Sequence, residues 1–258
     1  MTTHVKLERL DEFALLTLDR ADALNALSFD ILGQIGEAID EAASLSDIRA
    51  LLLTGAGDRA FCAGADIKEL RNRSLAEQLR GSELGQSIFS KLDRFPVPSV
   101  ALVEGYAFGG GMEFALAATF RLCSPNAVFG LPEVKLGLIP GYGGTQRLPR
   151  LIGEGRALEM ILTGRSVKAE EAAQIGLVHQ VVEGNLMDAG LAFARRFSGF
   201  SLPALNFARR AIQRAGDLTL HEGLQVEAEL STMAYRTADA EEGMAAFEEK
   251  RKPEFKDA

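Results

Sequence analysis

The segment Gly105-Tyr-Ala-Phe-Gly-Gly-Gly-Met-Glu-Phe-Ala-Leu-Ala117 places three consecutive glycines directly before an apolar run that carries one acid, Glu113. Because glycine has no Cβ, residues 109–111 can turn sharply and let another molecule approach the backbone. The apolar run predicts a helix, and a helix N-terminus offers unpaired N–H groups and a partial positive charge. The segment therefore indicates either an anion-binding turn beside a carboxylate or a turn that only lets a buried helix pack closely.

Composition limits the class of protein. The 258 residues are 47% hydrophobic, which is typical of one large α/β domain or of a core with an appendage. No apolar run approaches the ~18 residues that a membrane span requires, and residues 1–13 lack the pattern of an export signal. We therefore expect a cytoplasmic protein that has no membrane partner. The formal net charge of −8 argues against a general affinity for nucleic acid.

The cysteines and histidines disfavour several kinds of catalytic centre. Cys62 and Cys123 are the only cysteines, and each lies in an apolar stretch, which favours reduced core thiols over a disulfide. A catalytic Cys62 is a minor alternative. None of the three histidines lies near the glycine turn, which argues against a Ser-His or Cys-His hydrolase. No metal-ligand spacing is present, so we expect no metal site.

Short strands alternate with amphipathic helices through the first 150 residues. Ser28 is placed to cap a helix after two paired strands, and a later helix is predicted to bury Leu84, Ile88 and Leu92 on one face. This pattern predicts repeated β-β-α units, with strands at residues 5–10, 13–19, 50–54, 97–103, 121–124 and 127–129. After residue 151 the pattern becomes helical, with helices predicted at residues 154–162, 169–175, 186–197, 203–214, 220–235 and 239–250.

A second acid, Glu133, follows Pro132 in a stretch rich in glycine and proline, residues 129–147, which predicts a defined loop. Two acids that face one pocket can act as a general acid and base. The alternatives are that Glu113 only complements a helix dipole and that Glu133 faces solvent in a turn. A glycosidase also uses two carboxylates, but the chain has no tryptophan for stacking on sugars, which disfavours that interpretation.

Four segments follow one another in an informative order: Phe61-Cys-Ala-Gly-Ala-Asp-Ile67, residues 105–113, residues 129–133 and Ile139-Pro-Gly-Tyr-Gly-Gly-Thr-Gln-Arg-Leu148. Together they resemble the crotonase superfamily, in particular its enoyl-CoA hydratases. The resemblance extends from Asn25-Ala-Leu27 to Phe247-Glu-Glu-Lys250 and so covers nearly the whole chain. Each motif is weak alone, but this many in this order at the spacing of the family favour one superfamily.

The resemblance implies an α/β crotonase (ClpP-like) fold. In that fold a spiral of β-β-α units, here residues 1–195, carries the CoA-binding and catalytic site. Residues 196–258 would form a helical C-terminal region for oligomerisation, giving a homotrimer or a hexamer made of two trimers. The implied substrate is an acyl-CoA of fatty acid β-oxidation. No separate cofactor is expected, because coenzyme A is part of the substrate.

The resemblance also assigns roles to individual residues. The N–H groups of Ala65 and Gly110 would form an oxyanion hole for the thioester carbonyl of a trans-2-enoyl-CoA. Glu113 would act mainly as the base toward the added water, and Glu133 as the acid toward Cα, giving a 3-hydroxyacyl-CoA. Contacts to CoA and the acyl chain are expected from Ala23, Ala63, Ala65, Asp66, Ile67, Lys68, Gly109, Gly110, Pro132, Gly141, Tyr142, Phe247 and Lys250.

Two other functions stay open at this point. One is a Δ3,Δ2-enoyl-CoA isomerase or another enzyme of the superfamily that forms an enolate. The presence of both Glu113 and Glu133 favours the hydratase over these. The other is an RNA-binding or non-catalytic protein of the same fold, which the net charge of −8 and the lack of a long basic run disfavour. The preferred acyl group is left open by the sequence.

Overall fold

The computed structural model describes residues 3–258, which contain ten β-strands, eleven α-helices and two short 3₁₀ helices. The strands are β1 (Val5–Leu10), β2 (Phe13–Leu18), β3 (Ala50–Gly55), β4 (Ala60–Cys62), β5 (Ser99–Val103), β6 (Tyr106–Phe108), β7 (Phe120–Cys123), β8 (Val128–Gly130), β9 (Ser166–Lys168) and β10 (Gln180–Val181). The α-helices are α1 (Phe29–Ser44), α2 (Ile67–Leu70), α3 (Leu75–Asp93), α4 (Gly110–Ala117), α5 (Gly144–Ile152), α6 (Glu154–Thr163), α7 (Ala169–Gln174), α8 (Leu186–Ser198), α9 (Leu202–Arg214), α10 (Leu220–Ala234) and α11 (Ala238–Glu249). The 3₁₀ helices span Ala21–Ala23 and Glu133–Leu136.

The described chain divides into two compact units, of which the first ends at Ala192 and the second spans Phe193–Ala258. The sequence analysis placed this division after residue 195. Among the helices of residues 3–258, none combines the length and the apolar character that crossing a membrane requires.

Two sheets form the first unit. The larger has the strand order β1-β2-β3-β5-β7-β10, in which β1 pairs with β2 in antiparallel register and the other neighbours are parallel. The smaller has the order β4-β6-β8-β9, parallel except for the pair β8–β9. The chain repeatedly adds one strand to each sheet and then a helix, as in β3-β4-α2 and β5-β6-α4. The predicted spiral of β-β-α units is therefore confirmed.

The buried strands account for the apolar runs of the sequence. All five residues of β5 are buried, and Leu51, Leu52 and Leu53 of β3 are fully buried, as expected for parallel strands that are covered on both faces. Helix α1 begins where predicted, because Ser28 Oγ accepts a hydrogen bond from the Ile31 N–H at 3.1 Å. An aromatic cluster links the sheets to the helices, with the Phe61, Phe89 and Phe114 rings in contact.

Helix α4 lies in the middle of this core, and all eight of its residues are buried. Its start requires glycine for two reasons. Gly109, just before the helix, has a φ of +50°, which side chains disfavour. A Cβ at Gly111 would lie 2.1 Å from Cys62 O, so the helix backbone contacts strand β4 directly. The triple glycine therefore lets the start of α4 pack closely against strand β4.

Three details differ from the sequence predictions. Leu84 is 38% exposed, because the buried face of α3 is formed by Gly81, Gly85, Ile88, Phe89 and Leu92. Small glycines, which periodicity rules do not count as core residues, define that face. The predicted loop at residues 129–147 contains a 3₁₀ helix and the first turn of α5, and the helical part after residue 151 also contains β9 and β10.

The second unit is helical, with α9 packed against α10. Asp239 of α11 is 2% exposed, and its carboxylate accepts hydrogen bonds from the Lys256 and Asp257 N–H groups at 2.7 and 3.0 Å. A largely apolar groove of about 630 Å³ lies in this unit, lined in part by Phe200, Leu205, Met244, Phe247 and Phe255.

Arg121 of β7 fixes the C-terminal end of α4. Its buried guanidinium donates to Ala118 O at 2.7 Å, to Ala115 O at 3.3 Å and to Leu177 O at 2.8 Å. Burial lowers the pKa of Arg121 to about 10. A cation at a helix C-terminus is favourable. The hydrogen bonds from the Arg121 guanidinium to these carbonyls therefore offset the free-energy cost of burying the charge, and they hold α4 in place.

We expect Arg121→Met to destabilise the protein. The substitution leaves the buried carbonyls of Ala118 and Leu177 without this donor, at a cost of about 1–3 kcal/mol each. Urea denaturation measures the loss. The control is Arg156→Met, since Arg156 is exposed and donates one long hydrogen bond to Ile152 O. Equal unfolding free energies for the two variants would contradict the role assigned to Arg121.

Candidate active site

Two glycine turns face each other at the start of α4. Gly64 has a φ of +106° and Gly109 a φ of +50°. A Cβ at Gly109 would lie 3.8 Å from the Gly64 Cα, and a Cβ at Gly64 would lie 3.0 Å from Phe108 O. The absence of side chains therefore allows the two backbones to approach, and it places the following residues, Ala65 and Gly110, near each other.

The N–H groups of Ala65 and Gly110 are available to a ligand. Gly110 is the first residue of α4, so its N–H has no acceptor within the helix. Ala65 forms a parallel bridge with Leu27, made by the Leu27 N–H to Gly64 O and the Asp66 N–H to Leu27 O, both at 2.8 Å. In such a bridge the N–H of Ala65 itself points away from Leu27. Over residues 3–258 neither N–H donates a backbone hydrogen bond, so both can bind an oxyanion.

The Glu113 carboxylate occupies the N-terminus of a second helix, α5. Its Oε1 accepts hydrogen bonds from the Tyr142 N–H at 2.8 Å and from the Gly144 N–H at 2.7 Å. A Cβ at Gly144 would lie 3.0 Å from the same oxygen, so glycine permits this approach. Glu113 is only 2% exposed. The carboxylate is thus fixed by the backbone of the segment that follows Ile139.

The surroundings of Glu113 raise its pKa into the neutral range. Burial is the largest effect and raises the pKa to about 7, and the negative charge of Glu133 also raises it. The hydrogen bonds from Gly144 and Tyr142 and the positive charge of Arg147 act in the opposite direction. Because a pKa near the working pH suits proton transfer, Glu113 can both accept and release a proton.

Glu133 lies on the other side of the glycine turn. A Cβ at Gly109 would be 3.1 Å from its Oε1, and its Oε2 is buried without a hydrogen-bond partner among the described residues. Burial raises the pKa of Glu133. The alternative of a solvent-facing turn residue is therefore wrong. A buried carboxyl oxygen that lacks a partner is costly, which favours a protonated Glu133 or a bound polar ligand.

A second set of contacts holds the segment that carries Ala65. Arg20 forms an ion pair with Asp66 at 3.1 Å, and Asp66 Oδ1 also accepts a hydrogen bond from the Lys68 N–H at 3.2 Å. The buried side chain of Asn25 accepts a hydrogen bond from the Arg20 N–H at 2.9 Å and donates to Ala60 O at 2.8 Å. Asp66 therefore has a positioning role in the free protein.

The remaining predicted residues are distributed over both units. Ala63 donates its N–H to Leu24 O at 3.0 Å, which joins this segment to the 3₁₀ helix that contains Ala23. Ile67 and Lys68 are exposed in α2. Pro132 and Gly141 flank Glu133 and Tyr142 in the first unit, and Phe247, 85% exposed, and Lys250 belong to the second.

Cys62 is not a nucleophile. Its side chain is fully buried, and this burial raises the pKa of the thiol to about 12. Low-pKa, accessible thiols are the reactive ones, so the alternative of a catalytic Cys62 is wrong. Over residues 3–258 no cluster of three His, Cys, Asp or Glu side chains is arranged to hold a metal ion.

Sequence reasoning missed the groups that hold Glu113. These are the N–H groups of Tyr142 and Gly144, both within the motif that begins at Ile139. The sequence did contain a signal for this second binding place, the dipeptide Gly143-Gly144. Helix α5 begins at Gly144, just as α4 begins within the triple glycine at Gly110. Two glycine-led helix starts in one chain indicate two places where backbone N–H groups can meet negative charge.

Comparison with known proteins gives one consistent family. A model described as enoyl-CoA hydratase/isomerase matches residues 8–258. A short-chain-enoyl-CoA hydratase of Clostridium acetobutylicum is 40% identical over 252 residues, 97% of this chain and 97% of that relative. A crotonyl-CoA hydratase of Syntrophomonas wolfei is 38% identical over 253 residues, 98% of this chain and 97% of that relative. The solved structure of an enoyl-CoA hydratase from Bacillus anthracis has a TM-score of 0.94 at 36% identity and covers 99% of this chain and 100% of that one, which confirms the predicted fold.

The raised pKa of Glu113 predicts a pH-dependent effect on stability. Between its ordinary value of 4.5 and about 7 the folded protein binds more protons at this site than the unfolded chain, so stability falls as pH rises. Glu113→Gln removes this ionisation. We expect the unfolding free energy of the variant, relative to the unsubstituted protein, to increase by about 2–3 kcal/mol from pH 5 to pH 8. Glu229→Gln, at an exposed position, is the control, and a pH-independent difference for Glu113→Gln would contradict the prediction.

Proposed function

The chain belongs to the enoyl-CoA hydratase/isomerase family, and we propose that it adds water to trans-2-enoyl-CoA thioesters to give 3-hydroxyacyl-CoA. One observation carries the proposal most directly. Two carboxyl groups with raised pKa values, Glu113 and Glu133, lie beside two facing glycine turns, and each turn is followed by a backbone N–H, of Ala65 or Gly110, that is free to bind an oxyanion. Hydration of a conjugated thioester needs these two kinds of group.

The oxyanion site acts on the thioester carbonyl. When water adds to Cβ, negative charge moves through Cα onto the carbonyl oxygen as an enolate develops. The N–H groups of Ala65 and Gly110 donate to that oxygen, and the start of α4 adds its partial positive charge. Because these donors belong to the backbone, they are fixed before the reaction and need little reorganisation, which is the source of their effect.

The two acids complete the addition. Glu113, as the carboxylate, accepts a proton from the water while the hydroxide oxygen bonds to Cβ. Glu133, as the carboxylic acid, releases its proton to Cα and the enolate returns to a thioester. A proton then passes from Glu113 to Glu133 to restore the starting state. The net change is the addition of one water molecule across the double bond.

Hydrogen bonding supports this division of roles. Two N–H groups donate to Glu113 Oε1 and therefore stabilise its ionised form, whereas the unpaired, buried Oε2 of Glu133 favours the protonated form. The negative charge of Glu133 also raises the pKa of Glu113, so the two acids titrate as an interacting pair. A site with one carboxylate and one carboxylic acid is what the addition requires.

The proposal extends to the assembly and its surroundings. We propose a homotrimer or hexamer that works in the cytoplasm without a cofactor beyond the CoA of its substrate. Exposed apolar side chains of the helical second unit, among them Phe200, Met244 and Phe247, support oligomerisation. Phe247 and Lys250 would then contact CoA from the same or a neighbouring subunit. Light scattering coupled to size-exclusion chromatography tests the subunit count.

Incubation with crotonyl-CoA tests the function. We expect 3-hydroxybutyryl-CoA as the product, and Glu113→Gln and Glu133→Gln should each lower kcat by about 10²-fold or more, because each removes a positioned acid or base. Glu229→Gln is the control for a carboxylate outside the site. Loss of absorbance of the conjugated thioester measures the rate. A double-bond shift without hydration would instead identify an isomerase, and full activity in either glutamine variant would refute the role given to that acid.

Comparison of Gly110→Pro with Gly110→Ala tests the oxyanion donor. Both add a Cβ, which would lie 3.1 Å from Tyr142 Cδ2, but only proline removes the N–H. Proline is also compatible with the first position of a helix, which Gly110 occupies. We expect kcat of the proline variant to be about 10²-fold below that of the alanine variant. Equal kcat values in two folded variants would show that this N–H does not act on the transition state.

A further inference from the structure

The aromatic ring of Tyr142 is wedged between two helices of the first unit. A Cβ at Gly85 of α3 would lie 2.2 Å from Tyr142 Cδ1, and a Cβ at Gly110 of α4 would lie 3.1 Å from its Cδ2. The residue is only 7% exposed. The ring therefore occupies space that Gly85 leaves free by lacking a side chain.

The ring is held in one orientation. It meets the Phe89 ring edge to face, with centroids 5.8 Å apart and an interplanar angle of 90°, and Phe89 in turn lies 5.1 Å from Phe114. Aromatic pairs in this arrangement are favourable, and both phenylalanines are fully buried. The ring is therefore packed between Phe89 and the two glycines, Gly85 and Gly110.

The position of the ring relates it to the reacting atoms. The Tyr142 N–H donates to Glu113 Oε1, and the ring atoms Cδ2 and Cε2 lie beside Gly110, whose N–H is the proposed oxyanion donor. Glu113 is also close enough to contribute to the raised pKa of Tyr142, after burial as the main cause. The carbonyl and Cβ of a bound enoyl thioester would therefore lie next to this ring, and acyl carbons beyond Cβ would meet it.

We propose that the Tyr142 ring is the wall that ends the acyl pocket and restricts this enzyme to short-chain enoyl-CoA substrates. The inference rests on the proposed function. The backbone N–H of Tyr142 positions the base, Glu113, while the side chain of Tyr142 limits the length of the acyl chain. These two roles can be separated experimentally, because a substitution of the side chain leaves the N–H that donates to Glu113 in place.

The test is the ratio of kcat/KM for crotonyl-CoA to kcat/KM for trans-2-decenoyl-CoA. We expect the unsubstituted protein to favour crotonyl-CoA, and Tyr142→Ala to shift the ratio toward the long substrate by about tenfold or more, as for other changes of apolar pocket size. Tyr142→Phe keeps the ring and should retain the original ratio. Tyr235→Ala removes a tyrosine that is 68% exposed in the second unit and should also leave the ratio unchanged.

A methyl group at position 85 provides a second measurement. In Gly85→Ala/Tyr142→Ala the new Cβ enters the space that the ring has left, so the double variant should lose part of the gain in long-chain activity. If Tyr142→Ala does not fold, Tyr142→Leu, which removes part of the ring volume, replaces it and should shift the ratio in the same direction.

The outcomes separate this inference from the proposed function. Equal use of both substrates by the unsubstituted protein, or an unchanged ratio in a folded Tyr142→Ala, would overturn the role of Tyr142 while the hydratase activity stands. No hydration of either substrate would overturn the proposed function and this inference together. A ratio that shifts equally in Tyr142→Phe would assign selectivity to the hydroxyl and overturn the proposed role of the ring.

Discussion

The close approach of two backbone segments, residues 62–64 and 109–111, is the constraint on which the rest of the site depends. Helix α4 contacts strand β4 so closely that a Cβ at Gly111 would lie 2.1 Å from Cys62 O, and Gly109 faces Gly64 across the turn. Any side chain at these positions would separate the segments. Because they meet, Ala65 and Gly110, which follow the two glycines Gly64 and Gly109, lie near each other, and Glu113 is in the first turn of α4.

Two helix starts in this site present backbone N–H groups that can bind negative charge. The first N–H of α4 has no acceptor within its helix, whereas the N–H groups at the start of α5 bind the carboxylate of Glu113. Burial alone would keep Glu113 protonated, and the two N–H groups alone would keep it ionised. The balance between these effects, with the charge of Glu133 added, brings the pKa to about 7. A carboxylate at such a balance exchanges protons at neutral pH, which neither environment alone would allow.

The sequence predicted those features that depend on local chemistry. The glycine turn, the Ser28 cap and the β-β-α pattern each arise from neighbouring residues, and the structure has all three. What it could not predict depends on contacts between distant segments: the amide pair that holds Glu113 comes from residues 29 and 31 positions away. Leu84 was placed in the core because it is apolar, while Gly81 and Gly85 were overlooked, although their missing side chains accommodate the rings of Phe29 and Tyr142.

Because the site is built mainly from backbone groups, side chains around it can change, and with them the preference for an acyl group, while the N–H groups stay in place. Four N–H groups would do the electrostatic work of the proposed mechanism: those of Ala65 and Gly110 toward the substrate, and those of Tyr142 and Gly144 toward Glu113. A side chain change at Ala65 or Tyr142 leaves its N–H in place. The proposed role of the Tyr142 side chain in the acyl pocket is therefore independent of its N–H, which donates to Glu113. At the glycines, by contrast, close contact forbids a Cβ, so a side chain there would disturb the backbone itself.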